Sequence, residues 1–356
     1  MKSMKSSVNA EDFATALKKI SVILKKSTLP QTEQIRVDFT ENSCRLTACN
    51  YTAWLTAEIP ASGDAFSFAF AKAKSVVRAC QRYKGKLEIT LFQTGDKYPM
   101  LDMLCGDKGA EIQPLLGAAL ILKCPIVEPS QVYRACAEDV LNRVKRVMYA
   151  AETGDDSPRR NGVHFQDSRI WCLDKCRMAV NESSDLSVRE DFIVPVHAMK
   201  FLKAFGKCEM EISVGQYFTE FNGGGLRMVC HLLDVSDALR VENLLPNKHG
   251  ETYSVRRGQY ADAIRYLSDC GHGMKRRTVR FERGNLLLMD ELVKFSAALD
   301  VDGACETAYA FDLDLMKDAL EQFSGEESVH VHVSGGKAPI VLSAGANTAL
   351  IMPTRV

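Results

Sequence analysis

Twelve cysteines, seven histidines and one run of three glycines are the residues through which this chain could do covalent, metal or phosphate chemistry. A thiol nucleophile needs a thiolate beside a base. Zinc ribbons and dithiol redox sites need the tight C-x-x-C spacing. The closest pairs are Cys44/Cys49 and Cys172/Cys176, and C-x-x-C does not occur. Neither Cys172 nor Cys176 sits in anything like a nucleophile elbow, and His197, His231 and His272 stand alone. His330 and His332 share one strand face, but two histidines without further ligands seldom make a metal site. Gly223-Gly224-Gly225 lies between two strand-like segments, not between strand and helix, so it reads as a hairpin turn and not a phosphate loop. The expectation is a chain with no catalytic residue, no metal and no cofactor, whose thiols act as small buried hydrophobes. The enzyme alternative is a thiol hydrolase pairing one cysteine with a histidine.

With catalysis set aside, composition bounds what remains. A chain of 356 residues predicts two or three domains. It is 46% hydrophobic and 25% charged, ordinary for a globular protein with sizeable cores. Lys plus Arg and Asp plus Glu both number 45, so net charge does not decide for or against nucleic acid. The longest apolar run, Leu115 to Leu122, is far short of the roughly 20 residues a bilayer needs. MKSMKSSVNAEDF has no apolar core and does not read as a secretory signal. A cytoplasmic protein with no membrane partner is expected.

The chain is written three times. Val37-Asp38-Phe39, Val163-His164-Phe165 and Val279-Arg280-Phe281 open three strand-like segments with the same alternation. Each runs through a short polar turn into a second strand: RLTACNYTAWLTAEI, RIWCLDKCRMAV and LLLMDELVKFSAAL. A second series follows in the same order at 87–91, 210–214 and 329–333, again alternating with period two. Both series keep a period of roughly 120 residues. The helical stretches AKAKSVVRACQRY, VPVHAMKFLKAF and DLDLMKDALEQF precede this second series. The order within a copy is helix, strands, helix, strands, an α+β domain. The first helices are expected at Ala10–Lys26, Ser130–Tyr149 and Arg257–Leu267. Phe13, Leu17, Ile20 and Leu24 form one apolar stripe on the first of them.

Cations recur on these helices. Lys18, Lys25 and Lys26 oppose the first stripe. Lys72, Arg78 and Arg82 lie in a stretch with no acid between Lys72 and Lys86. Arg143, Lys145 and Arg146 close the second copy's first helix, and Lys200 and Lys203 mark its second. Arg265 lies on the third copy's first helix. Only the helix from Asp312 is acidic. Cations on equivalent elements of three repeats suit duplex DNA held by its phosphates. No recognition helix or base-stacking signature accompanies them, so the grip is independent of sequence.

The repeats, with four local anchors, resemble the bacterial replicative sliding clamps, the β subunits of DNA polymerase III. The anchors are Thr28-Leu29-Pro30 after the first helix and Asn161-Gly162-Val163-His164-Phe165 with Leu173-Asp174-Lys175-Cys176-Arg177-Met178-Ala179. The third is Leu232-Leu233-Asp234 with Leu244-Leu245-Pro246, and the fourth the ending Leu350-Ile351-Met352-Pro353-Thr354-Arg355-Val356. The repeat places boundaries near Lys123 and Pro246, giving domains 1–124, 125–248 and 249–356. The resemblance implies that these are clamp domains of a head-to-tail homodimer that closes a ring around DNA with helices inside and sheets outside. It also implies a groove between the second and third domains that takes linear peptides of DNA polymerase, clamp loader and repair proteins. By position that groove uses Leu173, Cys176, Arg177, Met178, Leu239, Leu244, Leu315, Leu350, Ile351, Met352, Pro353 and Arg355. Lys175-Cys176 replaces the family's Gly-His, Arg160 stands where an apolar groove residue is usual, and Asp312 where Asn is common. The groove is expected to be more charged than the family's. A DNA-binding protein of the same repeat fold that forms no ring is the other alternative.

Overall fold

The computed structural model describes residues 2–93, 99–117, 123–152, 154, 157, 160–235, 239–245 and 250–354. The first third of the chain runs β1 (Lys2–Asn9), α1 (Ala10–Ile20), β2 (Ile35–Phe39), β3 (Ser43–Cys49), β4 (Ala53–Gly63), β5 (Phe66–Phe70), α2 (Ala73–Cys80), β6 (Lys86–Gln93), β7 (Met100–Cys105) and β8 (Lys108–Ile112). The middle runs β9 (Gln131–Cys136), α3 (Ala137–Val147), β10 (Gly162–Gln166), β11 (Arg169–Leu173), β12 (Arg177–Glu182), β13 (Phe192–Pro195), α4 (Val196–Met199), β14 (Glu209–Val214), β15 (Phe218–Gly223), β16 (Leu226–His231) and α5 (Val241–Leu244). The last runs β17 (Glu251–Arg256), α6 (Arg257–Cys270), β18 (Thr278–Glu282), β19 (Asn285–Met289), β20 (Lys294–Ala298), β21 (Val301–Gly303), β22 (Tyr309–Asp312), α7 (Leu313–Gln322), β23 (Ser328–Val333), β24 (Ile340–Ala344) and β25 (Asn347–Ile351). The mixture is α+β, as the sequence leads one to expect.

Every copy opens on a strand, not a helix. β1, β9 and β17 pair antiparallel with β6, β14 and β23, the strands of the second periodic series. The helix expected from Ser130 therefore starts only at Ala137. Gln131 and Ser6 are buried in these opening strands, and polar residues at covered positions hide a period of two. Backbone pairing along the whole edge of the neighbouring strand outweighs the weak local pattern. The first helix also ends early, at Ile20, and passes into a 3-10 turn over Ser21–Ile23. Ser21 Oγ donates to the Lys18 carbonyl at 2.9 Å, and β-branched Val22 and Ile23 add little helical preference. Asn9 caps α1 by accepting from the Asp12 N–H at 3.0 Å, with Glu11 and Asp12 in the first turn. Phe13, Leu17 and Ile20 are wholly buried.

The chain divides into two compact units, Met1–Leu141 with His197–Leu232, and Asn142–Val196 with Leu233–Val356. The middle of the chain contributes to both. In the first unit a twelve-stranded sheet runs β8-β7-β6-β1-β4-β16-β15-β14-β9, with β3, β2 and β5 branching from β4. The second unit holds a nine-stranded sheet, β13-β10-β11-β12-β25-β24-β23-β17-β21, and a four-stranded one, β20-β19-β18-β22. Its core packs α6 and α7 side chains such as Tyr260, Ile264, Met316 and Leu320 on Phe281, Phe311, Val331 and Leu342. Gly224 and Gly225 take φ of +57° and +73° in the β15–β16 hairpin, the left-handed geometry that tight hairpins need. No helix among the described residues is long and apolar enough to cross a membrane.

Candidate functional site

One row of side chains crosses four strands of the second unit. Leu173 on β11 faces Met178 on β12, Met178 faces Leu350 on β25, and Leu350 faces Val341 on β24. Trp171 and Val180 form the next rung. Side chains of one parity share a sheet face, so these six make a continuous apolar surface. Trp171, Met178, Val180 and Leu350 are buried there, together with Val241 of α5. Leu173, Leu239, Leu244, Leu245 and Val341 pack against them while staying half exposed.

The segment around α5 is tied down from beneath. Arg169 pairs with both Glu182 and Glu242, and the Val241 N–H donates to Gln166 Oε1 at 3.2 Å. The result is a preformed apolar slot with one wall of strand and one of connecting chain. Flexible Met and branched aliphatic side chains suit tolerant binding of a linear peptide.

Polar groups gather at one end of the slot. Asp174 Oδ1 accepts from the N–H groups of Cys176 and Arg177 at 2.7 and 2.8 Å. Arg177 reaches Asp174 at 2.9 Å and Asp318 at 2.7 Å, and lies over the Tyr149 ring. Burial pushes the Tyr149 phenol well above its ordinary pKa, so it stays neutral. A hollow of about 470 Å³ opens beside Cys176, Asp312 and Leu315. Met352 N–H donates to the Cys176 carbonyl at 2.7 Å and Thr354 N–H to the Ala310 carbonyl at 2.9 Å, which fastens the chain after β25 along this end.

The sequence expectation thus assembles only in part. Leu173, Met178, Leu239, Leu244 and Leu350 come together in the slot, and Cys176, Arg177 and Leu315 line the hollow. Met352 is exposed and Pro353 half-buried beyond β25, and Arg355 lies outside the described residues. Ile351 is a correction: adjacent strand residues point to opposite faces, and its side chain is buried in the other core of this unit. Trp171, Val180, Val241, Leu245 and Val341 were missed. The parity of Trp171 with Leu173, and of Val180 with Met178, was the available signal for two of them.

The charged departures have local partners. Arg160 Nε meets Glu152 at 2.5 Å, and Lys175 meets the same carboxylate at 3.3 Å. Asp312 caps α7, accepting from the N–H groups of Asp314 and Leu315. Asn and Asp cap equally well, so this exchange needs no change of site chemistry.

The cations expected on helices fall into three groups, although Lys25 and Lys26 lie beyond the 3-10 turn after α1, and Lys72 and Arg82 flank α2. Lys18, Lys25, Lys26, Lys72, Arg78, Arg82, Lys145, Lys200 and Lys203 are exposed, and none makes an ion pair among the described residues. Arg265 is exposed but paired with Asp262 at 2.7 Å. Arg146 bonds the Gln322 carbonyl and Ser324 and is half-buried. Arg143 is the second correction. It is only 8% exposed, with Nε on Asn181 Oδ1 at 2.8 Å and Nη2 on the Ser168 carbonyl at 2.6 Å. It sits one residue before Val144 on the covered face of α3, which a count of cations cannot reveal.

A prediction separates these roles. Arg143→Ala strips charge-assisted bonds from buried acceptors and is expected to lower stability by about 3 kcal/mol, whereas Lys145→Ala stays within about 0.5 kcal/mol. Urea unfolding of the two variants checks this, and equal effects would return Arg143 to the surface set.

All twelve cysteines are free. Cys172 is fully buried, and burial pushes its thiol pKa up, the opposite of an activated nucleophile. His332 contacts Thr252 and Ser334 through its two ring nitrogens. His197 Nε2 lies 2.7 Å from Thr52 Oγ1, and burial, then Lys200 and Lys25, lower its pKa. Among the described residues no group of three metal-ligating side chains occurs.

No protein-family model matches the chain, and no curated protein matches it in sequence. Solved structures match it in fold over its whole length. A DNA polymerase sliding clamp from Pseudomonas aeruginosa, solved with ligand, superposes with a TM-score of 0.86 at 15% identity, covering 99% of this chain and 100% of that one. The sliding clamp of Bacillus subtilis gives 0.85 at 16% identity with 100% of both chains covered. The β subunit from DNA polymerase of Streptococcus pyogenes gives 0.85 at 15% identity, covering 99% and 100%. The chain has the sliding-clamp fold.

Proposed function

We propose that this chain is a non-catalytic DNA sliding clamp, built from three clamp domains at 1–124, 125–248 and 249–356. Two copies close head to tail around duplex DNA and hold polymerases, a clamp loader and repair proteins through the Leu173–Met178–Leu350 slot. The observation that carries the reading is the agreement in fold with sliding clamps along the entire chain. Nine exposed cations on the helices or at their ends, with no carboxylate partner among the described residues, in a chain of zero net charge, support it independently.

Closure has a physical basis in the strand edges. β8 ends the twelve-stranded sheet and β20 ends the four-stranded one, leaving unpaired backbone groups that favour a partner strand. In the ring, β8 of one copy pairs with β20 of the next, a heterologous contact that closes after two copies. Equilibrium sedimentation at micromolar concentration is expected to give twice the chain mass. A monomer across that range would favour the reading of an open DNA-binding protein with the same repeats.

A further inference from the structure

The first unit contains a counterpart of the slot whose inner row, Cys49, Trp54 and Val229, stays apolar while its outer rungs are polar. On β3 and β4, Cys49 faces Trp54, Thr47 faces Thr56 and Arg45 faces Glu58. On β11 and β12, Leu173 faces Met178, Trp171 faces Val180 and Arg169 faces Glu182. The turns match, since Asn50 N–H donates to the Ala53 carbonyl as Asp174 N–H does to that of Arg177. Even the closing ion pair recurs, Arg45 with Glu58 at 2.9 Å and Arg169 with Glu182 at 3.2 Å. The next strand also follows. β16 lies beside β4 with Val229 opposite Trp54, as β25 lies beside β12 with Leu350 opposite Met178.

The connecting wall is repeated as well. Leu239 to Leu245 flank the apolar slot, and Lys123 to Pro125 flank its counterpart. Arg227 fixes this wall, with Nη1 on Cys124 Sγ and Nη2 on the Pro125 carbonyl, both at 3.2 Å. Between wall and strands lies a cavity of about 830 Å³, within the size range of ligand sites.

Its chemistry differs from that of the slot. Trp171 and Val180 are replaced by Thr47 and Thr56, and Arg227 and Asn222 stand on the strands beyond. The cavity is lined by Arg36, Arg45, Lys123 and Arg227 against Asp38 and Glu58, with Glu220 behind Arg227. Lys123 makes no ion pair among the described residues. Paired arginines keep guanidinium N–H groups for a second acceptor.

We propose that this cavity is a second docking groove, taking an extended acidic segment of a partner protein. Its carboxylates meet Lys123 and the outer edge of Arg45, and its backbone lies along the threonine rung. The docking reading rests by correspondence on that of the apolar slot, but the cavity lies within this unit, so its test is separate from ring closure and from peptide binding at the slot.

Hydrogen exchange of the full chain with a ten-residue glutamate peptide tests it, with a decathymidine oligonucleotide as comparison. The peptide is expected to protect residues 44–58 and 222–227. Protection should disappear in the Lys123→Glu/Arg45→Glu variant, with affinity reduced about tenfold or more. Thermal unfolding should stay within a few degrees, because both side chains are at the surface. Lys123→Glu alone, which breaks no ion pair, should give a smaller loss in the same direction. Absence of protection in the wild type, or protection that survives both variants, overturns the proposal. Equal protection by the oligonucleotide would assign the cavity to nucleic acid instead and equally overturns it.

Discussion

Removing Met352–Val356 is expected to weaken binding of a polymerase-derived tail peptide by about thirtyfold or more, the loss of roughly 2 kcal/mol that one interfacial anchor carries. Met352 is 42% exposed beside the hollow, and its backbone bond to Cys176 holds the chain at the mouth of the slot. Truncation there leaves Ile351 and the full β25 pairing in place, so the core of the unit survives. Leu173→Asp is the companion change. It places a charge on the half-exposed end of the apolar row and should cost a similar amount. Fluorescence anisotropy with a labelled peptide reads both variants, and sedimentation should show each still dimeric. Unchanged affinity in the truncated protein would move peptide binding away from this slot.

The apolar slot was legible where the chain repeats itself and opaque where it does not. Leu173, Met178 and Leu350 were placed by position from the family resemblance alone, and the strand pairing puts them on one face. Ile351 was misassigned by treating a run of four consecutive residues as one surface, although β25 turns alternate residues to opposite faces. Val241 and Leu245 lie in a connection with no periodic signal, and only the fixed position of Arg169 and Gln166 brings them onto the strands. The same contrast governs the fold. Hairpins with clear alternation, such as β11–β12, are visible in the sequence. The opening strands β1 and β9 are not, because polar Ser6 and Gln131 occupy covered positions and break the alternation, and the pairing is set by distant partners. Arg143 shows the limit of counting charges: its partners, Asn181 and Ser168, are remote in sequence, and only its place on the Val140–Val144–Val147 stripe separates it from Lys145.

DNA retention carries the largest expected effect. In the proposed clamp, phosphate contacts from the exposed lysines and arginines would act by releasing counterions, so affinity through them alone would fall by about 10³–10⁵ between 50 and 200 mM salt for six to ten contacts. A closed ring on circular DNA is held by topology and has no such slope. Charge reversal at Lys26, Arg78, Arg82 and Lys203 should slow loading without shortening retention once the ring is closed. The decisive measurement is therefore the lifetime of loaded protein on one plasmid, intact and cut once, through that salt change. The sliding-clamp account predicts that protein stays on the intact circle and runs off the cut one. Equal loss from both would contradict it.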